Sequence, residues 1–165
     1  MALLRQALAL LPLLAGCNAS SSPVPGQPDP LVGAWELVSY TDTPDGGAPV
    51  SYFGERPIGL FVFTAGGHVS ISLMHNPPGK ADASADADPD ACVPDWYCSY
   101  FGTYSYDPSG PSWTTHVTGG NIPNYLGTDQ QRHFEMHGNE LTISETFTAE
   151  GRTWRGKRVL RKLRP

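Results

Sequence analysis

Three residues in this 165-residue chain, Arg132, His116 and Tyr104, could meet a ligand or move a proton if the fold brought them together. Arg132 stands in "QRHFEMH", where it shares one parity with Phe134 and Met136 while His133, Glu135 and His137 share the other. Only the first set is mostly apolar, so as a strand the segment turns Arg132, Phe134 and Met136 inward. An inward guanidinium must find an acceptor. Glu145, on one face with Leu141, Ile143 and Phe147, is the predicted structural partner. His116 lies mid-strand among apolar and hydroxyl-bearing residues. It reads either as a hydrogen-bonded core histidine or as a ligand contact beside Tyr104. Its parity stays open, because Trp113, Thr115 and Val117 make an equally good inward set.

Donors gathered at one point of an apolar cavity suit a small molecule with a greasy body and one carboxylate, phenolate or carbonyl. A second reading makes His116 the acid or base of a proton transfer, isomerisation or cyclisation, with Tyr104 nearby. A third is a filled fold without a ligand, acting as an interaction module. No Ser-His-Asp arrangement, phosphate-binding glycine loop or dinucleotide fingerprint is found, and no cofactor is expected.

The chain has three cysteines, and an odd count in an exported protein gives one of them a separate role. The apolar run from Ala7 to Ala15 is about half of the roughly 20 residues that a membrane-crossing helix needs. With Arg5 ahead of it and small residues behind, it fits a secretory signal. Leu14, Ala15, Gly16 and Cys17 resemble the lipobox of bacterial lipoproteins. That resemblance implies cleavage ahead of Cys17 and a lipid on its sulfur, an attachment that only a thiol permits. Asn18, rather than Asp, resembles the pattern that permits transport to the outer membrane, here facing the periplasm. Cys92 and Cys98 then form a pair expected to close as a disulfide, contributing about 2 kcal/mol.

No metal site is predicted. Two thiolates do not complete four ligands, and His133 and His137, four apart on a strand, stand about 13 Å from each other. Asp86, Asp88 and Asp90 mimic the first positions of a calcium loop, but Ala91 replaces its glycine and Tyr97 its final glutamate. Residues 75–95 read instead as a solvated acidic loop, held at its end by the cysteine pair and overhanging a binding mouth.

These pieces divide the chain into a leader, residues 1–16, a lipidated Cys17 with a proline-rich tether through residue 30, and one domain over 31–165. Formal net charge is -5, yet basic residues crowd the end from Arg152 to Arg164. Export argues against nucleic acid as their partner, and they read as the outer face of a last strand and a solvated tail.

The elements that must position the candidate residues are strands, because apolar residues alternate between Gly, Pro, Asn and Asp clusters and no long helical period occurs. Eight are predicted: "LVGAWELVSY" from Leu31, "PIGLFVFT" from Pro57, "HVSISLM" from His68, "YCSYFGTYSYD" from Tyr97, "SWTTHVTG" from Ser112, "QRHFEMH" from Gln131, "ELTISETFT" from Glu140 and "TWRGKRVLRKL" from Thr153. "HGNE" between the sixth and seventh reads as a hairpin turn. Eight adjacent antiparallel strands can close on themselves, leaving room for side chains or one small ligand.

"GAW" in the first strand is similar to the G-x-W signature of lipocalins and their calycin relatives. With the runs above in that order and a basic, tryptophan-bearing last strand, the chain resembles the bacterial and fungal lipocalin-like domain family from Leu31 onward. The resemblance implies an all-β, eight-stranded up-and-down barrel, but no reaction. Trp35 beside Gly33 is expected to plug the closed end. In lipocalins an arginine of the last strand covers this tryptophan. Arg155, Arg158 and Arg161 are candidates here, with Arg158 slightly favoured. The sequence thus points to a lipid-tethered barrel of the bacterial envelope that binds a small, mostly apolar ligand, including an acidic one.

Overall fold

Alternation along each strand, broken by turn residues, produces a closed barrel. A computed structural model describes residues 29–77 and 97–164. Its strands are β1 (Gly33–Pro44), β2 (Ile58–Phe63), β3 (His68–Met74), β4 (Tyr97–Asp107), β5 (Ser112–Gly120), β6 (Asp129–His137), β7 (Glu140–Ala149) and β8 (Arg152–Lys162). Each pairs antiparallel with the next, and β8 returns to β1, so no edge is left exposed. All eight predicted strands are present, and the "HGNE" turn joins His137 to Glu140 as a hairpin. The leader, Cys17, most of the tether, Cys92 and the Asp86, Asp88, Asp90 run lie outside the described residues.

One end of the barrel is shut. Trp35 is fully buried and its indole Nε1 donates to the Leu31 carbonyl at 2.7 Å. Gly33 has φ +131°, and a Cβ there would stand 3.1 Å from Lys162 Cε, so glycine is required beside the tryptophan. The cation over Trp35 is Lys162, with Nζ 5.1 Å from the ring centroid. This corrects the assignment to Arg158. Trp35 pairs across the seam with Lys162, whereas a bulge between Leu37 and Ser39 sets Arg158 opposite Tyr40. Lys162 Nζ also donates to the Pro30 carbonyl, and the Tyr104 hydroxyl donates to Asp29 Oδ2 at 2.7 Å, fixing the incoming chain to this end.

Above the plug, Phe63, Tyr104, Trp113, Tyr106 and Phe134 interlock with ring centroids 5.0–6.1 Å apart. Rings in edge-to-face and tilted contact fill this half of the barrel. On β5 the inward set is Trp113, Thr115 and Val117. Thr115 is fully buried, and its hydroxyl has no hydrogen-bond partner among the described residues. An unpaired buried hydroxyl costs about 1–3 kcal/mol, and valine copies its shape. Thr115→Val is therefore expected to stabilise the barrel by about 1 kcal/mol, seen as a higher urea midpoint at an unchanged slope; a lower midpoint would show that the hydroxyl is paired.

Candidate functional site

The other half of the barrel is not filled. Strands β1, β3, β5 and β7 finish at that end, and below these ends lies a cavity of about 110 Å3. Its apolar lining includes Phe53, Phe61, Ile71, Leu73, Ile122 and Ile143, with Trp113 toward the filled half. The volume approaches that of an engineered cavity of about 150 Å3 that takes up benzene, so the space suits a body about the size of one ring.

Its polar lining is an ionic cluster in the wall where the barrel closes. Asp42 on β1 and Glu145 on β7 both pair in register with Gly156 on β8, so two carboxylates flank a residue without a side chain. A Cβ at Gly156 would lie 2.9 Å from Asp42 Oδ1 and from Glu145 Cγ. Arg158, the next inward residue of β8, fills that notch. Its Nη1 donates to Asp42 Oδ1 at 2.6 Å and to the Thr41 carbonyl at 3.1 Å, and its Nη2 meets Glu145 Oε1 at 2.9 Å. The guanidinium lies 3.6 Å from the Tyr40 ring centroid. Burial pushes the Asp42 carboxyl up even against the pull of Arg158.

Arg132 reaches the same cavity from β6, as its parity predicts. Its Nη1 donates to the Gln131 carbonyl at 2.8 Å and its Nη2 to the Tyr125 hydroxyl at 3.2 Å. Its Nε faces Glu145 Oε2 at 3.7 Å, so the anticipated partner is the one found. Beside it, burial pushes the Tyr100 phenol up to about 12, so it stays a neutral donor at physiological pH. The Tyr100 hydroxyl has no hydrogen-bond partner among the described residues. Cys98 also lines the cavity. It carries a free thiol, pushed up by burial, where the cysteine count predicts a bond to Cys92.

Three other candidates are not part of this group. His116 points outward, exposed, with its Nδ1 2.9 Å from Asp129 Oδ1, because Trp113, Thr115 and Val117 take the inward positions of its strand. Tyr104 is inward but spends its hydroxyl on Asp29 at the closed end. Although β4 and β5 pair them almost in register, the two take opposite faces of the wall and neither lines the cavity, which removes the acid–base pair of the enzymatic reading. Phe134 and Met136 face inward as expected, yet they pack into the filled half and do not line the cavity. Sequence reasoning missed Tyr40, Asp42, Tyr100 and Tyr125. The available signal was Gly156, a glycine inside a strand pattern, which marks a close approach. No group among the described residues could hold a metal ion.

A family model for a lipocalin-like domain matches residues 32–162. No curated protein and no solved structure gave a match to the chain. The ionic cluster makes a stability difference measurable. Arg158→Met leaves the buried Asp42 carboxylate without a cation and Glu145 with Arg132 alone, and should cost about 3–5 kcal/mol, against about 1 kcal/mol for Lys162→Met at the plug. Equal losses in denaturant unfolding would show that Asp42 and Glu145 do not depend on Arg158.

Proposed function

The chain belongs to the lipocalin-like domain family, and on that footing we propose that it binds one small, mostly apolar molecule in the open half of the barrel. The molecule presents a single acceptor oxygen, of a carbonyl, phenol or carboxylate, to Arg132 and Tyr100. One observation carries this reading: in a cavity with mostly apolar walls, a guanidinium, a neutral phenol and the Tyr125 hydroxyl stand together on one side. Such a site orients a ligand by few polar contacts and holds it by burial. A ring-sized body covered by Phe61, Ile71 and Ile143 loses its apolar surface to water at roughly 25 cal/mol per Å2. The unfilled volume favours this over a barrel that serves only as an interaction module.

The same proposal places the protein in the bacterial envelope, held by lipid on Cys17 and, from Asn18, at the outer membrane facing the periplasm. The sequence from Leu14 to Cys17 supports the anchor. Two signals for stable attachment are usual, and the thioether diacylglycerol of a lipoprotein supplies two chains.

Three experiments test these statements. Acetophenone, a single-ring ketone, should bind the purified protein, and native mass spectrometry of freshly isolated material should show an endogenous small-molecule adduct. Arg132→Met should weaken acetophenone binding by tens-fold, the loss of one charge-assisted hydrogen bond of about 2 kcal/mol; equal affinity in the folded variant would remove Arg132 from the site. Cys17→Ser should abolish incorporation of labelled fatty acid and release the protein from membranes. Unchanged labelling would refute the anchor.

A further inference from the structure

Glu145 is shared. One carboxylate oxygen, Oε1, meets Arg158 Nη2 at 2.9 Å, and the other, Oε2, faces Arg132 Nε at 3.7 Å. Asp42 is committed to Arg158 at 2.6 Å. The cavity wall therefore holds two guanidiniums and two carboxylates in one connected row, with no net charge. The Glu145 side chain is 29% exposed, and both it and Arg132 line the cavity. It is thus the charged group nearest to any ligand atom that approaches Arg132.

We propose that Glu145 selects the ligand by charge, admitting a neutral acceptor oxygen and rejecting a carboxylate. The proposal rests on the ligand-binding reading of this cavity and narrows its ligand class. A ligand carboxylate set against Arg132 would place a second negative group on a guanidinium that already faces Glu145 Oε2, within a few ångströms of that oxygen. In a space walled by aromatic and aliphatic groups, solvent screens this repulsion poorly. A ketone, amide or protonated phenol accepts from Arg132 and from the Tyr100 hydroxyl without meeting it. Rejecting the wrong partner by an unfavourable contact is an ordinary source of specificity. Glu145 does it while also serving as the counter-ion that makes two inward arginines tolerable.

Acetophenone and benzoate have the same body and nearly the same shape and differ in charge, so their relative affinity reads the selection directly. Titration calorimetry on the full-length protein should show acetophenone binding at least ten-fold tighter than benzoate. In Glu145→Gln the carboxylate is replaced by an amide of the same size, and benzoate should gain relative to acetophenone by ten-fold or more. In the double variant Glu145→Gln with Arg132→Met that gain should disappear, because the guanidinium freed by the first change is gone. Benzoate binding the wild type as well as acetophenone does would overturn the charge selection while leaving the site standing, and this needs no variant to fold. An unchanged ratio in Glu145→Gln would overturn Glu145 as its source. Failure of both probes to bind the wild type would overturn the cavity reading itself, and the selection with it.

Discussion

A single guanidinium, that of Arg158, ties together the three strands through which the barrel closes. It stands on β8, takes Asp42 of β1 and Glu145 of β7, and sits over the Tyr40 ring. Ion pairs removed from water are not net stabilisers relative to a well-packed apolar substitute of the same volume. What this pair constrains is register. If β8 slipped by one residue, Arg158 would swing to the outer face and Lys157 or Val159 would turn inward, taking from Asp42 its cation and from Glu145 one of its two. The seam between the first and last strands joins the parts of the chain farthest apart in sequence, so its register has no turn to set it. Asp42, Gly156 and Glu145 in one row, with Arg158 in the notch, set it instead.

The two halves of the barrel follow from this division of inward residues. Below the cluster, aromatic rings and the Trp35 plug leave no space, and the chain enters under the bonds of Asp29 and Pro30 to Tyr104 and Lys162. Above it, inward positions pass to aliphatic residues, to rings such as Phe53, Phe61 and Tyr100, and to the two arginines, and these surround the cavity. The cavity lies where two guanidiniums share the Glu145 carboxylate and the interlocked ring cluster ends. Its polarity and its volume therefore have one origin.

Much of this is legible in the sequence where the information is local. Alternation marks all eight strands, and on β6 the contrast between Arg132, Phe134, Met136 and their polar neighbours fixes the inward face. β5 defeats the same reasoning, because hydroxyl residues occupy both parities and a register shift between Phe101 and Gly102 adjusts its pairing with β4. Facts that depend on which residues lie opposite each other are not local. The pairing of Trp35 with Lys162 decides that Lys162 rather than Arg158 covers the indole, and a bulge between Leu37 and Ser39 brings Arg158 opposite Tyr40 and into reach of Asp42. Half the site, Tyr40, Asp42, Tyr100 and Tyr125, comes from strands and a loop whose alignment no single segment encodes. Gly156 was the one residue whose type was out of place for its strand, and it marks the centre of the ionic cluster.

Because the incoming chain is fastened at the closed end, and β8 also finishes there at Lys162, both ends of the domain leave from the same pole. Among the described residues, the opposite pole carries the connecting segments 45–57, 75–77, 121–128 and 150–151. None of these sets the alignment of the closing seam, which resides in the strands. Loops on such a support tolerate insertion and replacement far better than the framework beneath them. The barrel thus divides its length between a pole that carries both chain ends and a pole whose loops can change without disturbing the closing seam.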